Sequence, residues 1–166
     1  MEELNLNLYS GEQETACALI QGFWKAHNGY IQTKEAAKED LQEWTKEGHA
    51  FYFIRKDGEN VGFVHLGSRG GEIDWLEDLF VLPEYQNQGI GSKAIQLTEE
   101  IVKKYSASLY IEAAAKNEKA IRLYQRAGYN CLNTITIRKD FDESLFDVVR
   151  TEKVYDLEFE VRKIKK

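Results

Sequence analysis

The sequence predicts a mixed α/β fold whose elements run β-α-α-β-β-β-α-β-α-β-β. Three observations lead there. Short apolar alternations are interleaved with segments whose apolar residues recur every three or four positions, the signatures of strands and amphipathic helices. Three consecutive central strands are separated only by turn sequences, which makes them antiparallel neighbours. They then run into a strand–helix–strand unit, so the sheet should be mixed, with helices burying both faces.

Leu4, Leu6 and Leu8 alternate with Asn5, Asn7 and Tyr9 and read as the first strand. From Gln13 to Ala26 the residues Ala16, Leu19, Ile20, Phe23 and Trp24 recur at helical spacing. Thr33 can cap a second helix with the stripe Ala37, Leu41 and Trp44, and Gly48 is expected to end it. Ala50 to Arg55 reads as a strand, with Phe51, Tyr52 and Phe53 filling both faces of a central position. Lys56-Asp57-Gly58-Glu59 is a strong hairpin turn, returning through Val61 to Leu66. After a second turn, Gly67 to Gly71, comes a long strand, Glu72 to Leu82.

A glycine-containing loop leads into a helix through Ser92 to Tyr105, with Ile90, Ala94, Leu97 and Ile101 on one face. Leu109 to Ala113 is a short apolar strand. Asn117 caps a helix bearing Ala120, Leu123, Tyr124 and Ala127, closed by Gly128. Cys131 to Arg138 and Val154 to Val161 alternate as the last two strands, and Asp140 to Arg150 fits a loop, a short helix or part of a hairpin. No repeat, no low-complexity linker and a single proline mark residues 1–166 as one domain.

At 166 residues, with 43% hydrophobic and 30% charged residues, the chain can bury a sizeable core beneath a wet surface. A net charge of −6 argues against broad binding to a phosphate backbone, and so against nucleic acid, and suits a cationic partner. Cys17 and Cys131 stand apart and read as reduced, buried thiols. No stretch has the pattern of a signal peptide or approaches membrane-spanning length, so a cytoplasmic location without a membrane partner is expected. His27, His49 and His65 lack metal-ligand spacing and read as surface or structural residues; no metal is expected.

Gln86-Asn87-Gln88-Gly89-Ile90-Gly91 carries the most information. At a strand-to-helix junction it leaves backbone N–H groups without intrahelical partners and pointing along the coming helix, a ready cradle for an anion. Gly89 and Gly91 remove side chains from the approach.

Two motifs together resemble the GCN5-related N-acetyltransferase (GNAT) superfamily. Leu79-Phe80-Val81-Leu82-Pro83-Glu84-Tyr85 followed by Gln86-x-x-Gly89-x-Gly91 looks like its acyl-CoA signature. Asn117-x-x-Ala120-x-x-Leu123-Tyr124-x-x-x-Gly128-Tyr129 looks like its second motif. The resemblance implies a GNAT-like fold in which the fourth and fifth strands splay apart. It implies acetyl-CoA as cosubstrate, its diphosphate on the amides from Asn87 to Ser92, through Gln88, Gly89, Ile90 and Gly91, with Gln86 in place of a frequent arginine. The pantetheine arm would pair with Leu79, Phe80 and Val81, and Asn117 would contact it while also capping its helix. Tyr124 matches the tyrosine that protonates the leaving thiolate, a task a phenol with a pKa near 10 can perform at neutral pH.

Trp75-Leu76-Glu77-Asp78-Leu79-Phe80-Val81 closely resembles the matching strand of polyamine acetyltransferases. That likeness implies Glu77 as a base acting through water and Asp78 as a carboxylate that holds a cationic substrate. Neighbours in a regular strand face opposite sides, so a bulge is needed to bring both to one cleft. Without it, one or both pair with Arg or Lys across the sheet. Trp75 either walls a cation site or packs in the core. The function implied is acetyl transfer to a primary amine of a small cation, polyamine or aminoglycoside-like. The alternatives are acetylation of a protein or peptide amine, and a non-catalytic acyl-CoA sensor. A homodimer is common in the family.

Overall fold

The computed structural model describes residues 4–165. They divide into two compact units, the boundary falling between Glu112 and Ala113. In the first, β1 (Leu4–Leu8), β2 (His49–Lys56), β3 (Glu59–Gly67), β4 (Trp75–Val81) and β5 (Tyr110–Ile111) form a five-stranded sheet in the order β1-β2-β3-β4-β5. The first four pair antiparallel and β5 joins β4 in parallel, as the mixed pattern requires.

Three helices cover this sheet: α1 (Gln13–Asn28), α2 (Lys34–Trp44) and α3 (Ile90–Val102). The Thr33 hydroxyl accepts from the Ala36 N–H and so caps α2, as its sequence suggests. Phe51, Phe53, Phe63 and Phe80 pack with Ala16, Cys17, Leu19 and Ile20 of α1 and Ala37 and Leu41 of α2. Each phenylalanine so buried contributes about 1.5–3 kcal/mol. Phe53 and Ile54 are neighbours in β2 and both buried, so both faces are covered. On the other side α3 contacts β1 and β4 and buries Ile90, Ala94, Ile95, Thr98 and Val102.

The α1–α2 connection is fastened by side chains. Asp40 accepts from Trp24 Nε1 at 2.7 Å and from Gln32 Nε2 at 2.6 Å, and Gln21 Nε2 donates to the Gln32 carbonyl at 2.8 Å. The turn between β2 and β3 places Asp57 at φ 50° and Gly58 at φ 89°, the two-residue hairpin geometry its sequence calls for.

The second unit holds α4 (Glu118–Arg126) and a hairpin of β6 (Phe146–Val154) with β7 (Leu157–Ile164). Here the expectation for the C-terminal strands is corrected. Residues 131–140 have no regular structure, although Cys131 to Arg138 alternates. Alternation specifies faces but supplies no hydrogen-bonding edge, and β6 and β7 satisfy each other. The last strand expected from Val154 to Val161 is interrupted by Tyr155 and Asp156, whose φ values of 52° and 64° make the hairpin turn. Arg162 of β7 bonds Asp140 and Glu143 and so holds the irregular segment.

Smaller corrections concern single residues. Helix α2 ends at Trp44 with Thr45 as its cap, and Gly48, at φ 83°, instead turns the chain into β2. Helix α3 begins two residues earlier than Ser92 and ends at Val102. Cys17 is buried and reduced, whereas Cys131 is exposed because its segment lies outside any packed element.

Candidate active site

Strand β4 carries the site's central irregularity. Opposite β3, His65 pairs with Asp78, but Leu66 pairs with Leu76 and Gly67 with Trp75. Glu77 is therefore an extra residue, a β-bulge, and it changes which face each side chain meets. Asp78 shares the α1/α2 face with His65 and Phe80. The Glu77 side chain lies over Gly67, where a Cβ would come within 3.0 Å of its Cγ. The bulge thus brings Glu77 and Asp78 to one face.

Each carboxylate has a built partner. Glu77 accepts from Arg69 Nη2 at 3.0 Å and Nε at 3.3 Å, and Arg69 Nη1 donates to Glu112 at 2.8 Å. The Arg69 guanidinium lies 3.7 Å above the Trp75 ring, and Tyr110 stacks on Trp75 at 4.9 Å. Hydrogen bonds to Glu77 and then Glu112 push the Arg69 pKa far up and hold it charged. Because Arg69 is 39% exposed, the ion pair itself is worth no more than about 1 kcal/mol. Of the other acids in this region, Asp74 accepts from Ser106 Oγ at 2.7 Å, and Glu72 is exposed.

Asp78 Oδ2 lies 2.8 Å from His65 Nδ1, and His65 Nε2 lies 2.9 Å from His49 Nδ1. His65 is 3% exposed and stacks on Trp44 of α2 at 4.8 Å. His49 sits opposite Gly67, beside the bulged Glu77. Burial and then His65 and Lys46 depress the His49 pKa, against a smaller upward pull from Glu77 and Glu43. The sequence alone marks His49 and His65 as surface or structural residues and gives no sign of Arg69. The signal for the pair lies in the alternation: His49 continues the stripe of Phe51 and Phe53, and His65 that of Phe63.

The anion cradle is built at the far end of β4. Pro83–Tyr85 forms one turn of 3-10 helix, and Gln86 Nε2 then donates to the Val81 carbonyl at 2.8 Å. Asn87 at φ 60° and Gly89 at φ 79° bend the chain so that α3 starts at Ile90. Among the described residues nothing lies within 4 Å of a Cβ placed on Gly89, and on Gly91 only Leu79 Cδ2, at 4.0 Å. Lys56 and Lys93 line a shallow pocket there with Leu4, Gln88, Gly89 and Ile90. Lys56 Nζ also donates to Gln88 Oε1 at 3.2 Å. Ser92 lies in the first turn of α3.

Among the described residues β4 pairs with β5 only at Trp75 and Leu76, so Leu79, Phe80 and Val81 have no strand partner on that edge. The Phe80 side chain is buried among Phe23 and Phe63, and its carbonyl points towards Gly62 of β3. An open strand edge, two lysines and exposed helix-start amides fit a long thioester bearing a diphosphate.

In the second unit, Asn117 Oδ1 accepts from the Ala120 N–H at 3.3 Å and so caps α4. Tyr124 is half-buried, and burial raises its pKa above the ordinary phenol value. Its ring meets Tyr129 edge-on at 6.2 Å. Gly128 takes φ 101°, the left-handed position that ends this helix. Among the described residues no cluster of His, Cys, Asp or Glu could hold a metal, and no helix is long and apolar enough to cross a membrane.

A bulged, half-open strand followed by an amide-lined cradle is a frame on which an acyl-CoA thioester can lie. Comparison with known proteins agrees. The family model described as "Acetyltransferase (GNAT) family" matches residues 17–129, and the chain belongs to that family. It is an acetyl-CoA-dependent N-acetyltransferase. It is 30% identical over 112 residues to the spermine/spermidine N(1)-acetyltransferase of Bacillus subtilis, covering 60% of this chain and 70% of that one. Over 67 residues it is 37% identical to the [ribosomal protein bS18]-alanine N-acetyltransferase of Escherichia coli, covering 40% and 43%. Among solved structures, an aminoglycoside N-acetyltransferase in complex with CoA aligns with a TM-score of 0.64 at 16% identity, covering 86% and 97%. That last likeness is one of fold.

Proposed function

We propose that the protein transfers the acetyl group of acetyl-CoA to a primary amine of a small, cationic molecule of the polyamine or aminoglycoside type. One observation carries this reading: the bulge that sets Glu77 and Asp78 side by side beside Trp75. Two neighbouring carboxylates near an aromatic ring suit an alkylammonium, and a chain charge of −6 favours its approach. The likeness to the spermine/spermidine enzyme and to the aminoglycoside enzyme's fold supports the same substrate class.

In this reading the amides from Asn87 to Ser92 hold the diphosphate, and the free edge of Leu79, Phe80 and Val81 receives the pantetheine arm, which Asn117 also contacts. Gln86 keeps the loop in place through the Val81 carbonyl. Asp78 holds the substrate cation, and Trp75, packed between Arg69 and Tyr110, backs the site as a wall. An alkylammonium has no lone pair, so a proton must leave before attack, and Glu77 orients the water that takes it. The neutral nitrogen then attacks the thioester carbonyl; the N–C bond forms, the C–S bond breaks, and Tyr124 protonates the sulfur. A raised phenol pKa keeps that proton available.

The test measures CoA thiol release and acetylated products by mass spectrometry across polyamines, aminoglycosides and peptides. Small polyamines or aminoglycosides should react and Glu77→Gln should lower kcat/KM. Turnover confined to peptides would overturn the substrate class.

A further inference from the structure

We propose that the proton leaving the amine is delivered to Nε2 of His49, which a hydrogen-bonded chain through His65 to Asp78 holds as the acceptor. This rests on the acetyl-transfer reading above and deepens it.

The chain fixes its own tautomers. A carboxylate can only accept a hydrogen bond, so His65 Nδ1, 2.8 Å from Asp78 Oδ2, must carry a hydrogen. In neutral His65 the lone pair then falls on Nε2, which must accept from His49 Nδ1 at 2.9 Å. His49 Nδ1 therefore carries the hydrogen, and its Nε2 presents a lone pair. Among the described residues that nitrogen has no hydrogen-bond partner. The arrangement is rigid, because His65 is buried with its ring stacked on Trp44 and both nitrogens bonded. Packing alone does not call for a buried, fully partnered imidazole bonded to a second imidazole beside the carboxylate pair.

Glu77 is poorly placed to keep the proton, because both of its oxygens already accept from Arg69. His49 lies next to it, opposite the glycine over which Glu77 folds. The groups facing His49 are Lys46 and Glu43 from the end of α2 and the turn after it, His65 from β3, and Glu77 from β4 with Arg69 behind it. Its depressed pKa leaves it neutral, and so able to accept, at pH 7.

The step balances. R–NH₃⁺ passes one proton, through the water that Glu77 orients, to His49 Nε2 and becomes R–NH₂. His49 becomes an imidazolium whose Nδ1–H still donates to His65, and Asp78 stabilises the charge through it. When the N–C bond forms and the C–S bond breaks, the nitrogen's second proton replaces the one that Tyr124 gives to sulfur. Half-buried His49 then releases its proton to water. His65 is a positioning residue, and Asp78, beside its contact with the substrate cation, acts on His49 through His65.

The experiment is the pH profile of kcat/KM, by CoA thiol release with a polyamine, for wild type, His49→Gln and Asp78→Asn. Wild type should lose activity on acidification along a limb set by His49. His49→Gln should lower kcat/KM by about 100-fold and abolish that limb. Asp78→Asn should move the limb to lower pH, since the imidazolium loses its stabilising anion. Nitrogen-15 NMR of the folded wild-type protein reads the tautomers directly and depends on no variant. It should show the hydrogen on Nδ1 of both rings. A hydrogen on Nε2 of neutral His49, or a limb that both variants leave unmoved, overturns the relay alone. A wild-type protein that releases no CoA with any amine overturns the acetyl-transfer reading itself.

Discussion

Gly89→Ala separates the cost of strain from the loss of a ligand contact. Gly89 holds φ 79°, and nothing lies within 4 Å of an added Cβ. The substitution therefore causes no collision, only left-handed strain of about 1–2 kcal/mol. For a chain of this size that lowers Tm by about 2–8 °C. The new methyl stands on the surface that the diphosphate is proposed to touch. Losing one charge-assisted hydrogen bond there costs about 1.5–3 kcal/mol, or about 10- to 150-fold in Kd for acetyl-CoA. Gly29→Ala is the matched control, at φ 75° with equally open space after α1. Differential scanning fluorimetry should show similar Tm losses in the two variants, and calorimetry should show weakened acetyl-CoA binding in Gly89→Ala alone. Equal Tm losses with unchanged affinity in both would refute the placement of the diphosphate.

Tyr124→Phe should lower kcat at least tenfold with little change in acetyl-CoA affinity; an unchanged kcat would remove its role as acid. Because burial raises the Tyr124 pKa, any alkaline limb of wild-type kcat from this residue should have its midpoint above the ordinary phenol value. His49 titrates lower in the fold than in the unfolded chain, whose value is about 6.5. The unfolded chain therefore binds more protons between the two values, so this residue's stabilisation is complete above about pH 6.5 and fades on acidification. The Tm advantage of wild type over His49→Gln should accordingly shrink from pH 7.5 to pH 5; a constant gap would contradict the shift. Gly62→Ala would put a Cβ 2.1 Å from the Phe80 carbonyl oxygen, so β3 and β4 must separate. A cost of about 3 kcal/mol would lower Tm by about 6–12 °C in a thermal melt.

The order of elements was legible because each apolar period is carried by several residues, from the leucines of β1 to the stripe of α3. The loop from Gln86 to Gly91 was legible because glycine at φ 79° and a helix start leave a composition that few other structures require. The need for a bulge could be reasoned from the adjacency of Glu77 and Asp78, and the register of β3 against β4 contains one. What the sequence hid depends on register. The histidine chain exists only because β2 sets His49 against Gly67 while β3 sets His65 against Asp78. Arg69 lies in a turn, and its reach to both Glu77 and Glu112 follows from the folded backbone alone. Cys131 to Arg138 misled because its alternation was real, but the chain pairs β6 with β7 instead.

The central claim is that the turn before α3 and the free edge of β4 together seat acetyl-CoA. A crystal structure of the protein soaked with acetyl-CoA tests it most directly. The diphosphate should lie on the backbone amides between Asn87 and Ser92, with the pantetheine amides bonded along Leu79 to Val81. Density for the cosubstrate elsewhere on the chain, with these groups untouched, would contradict it.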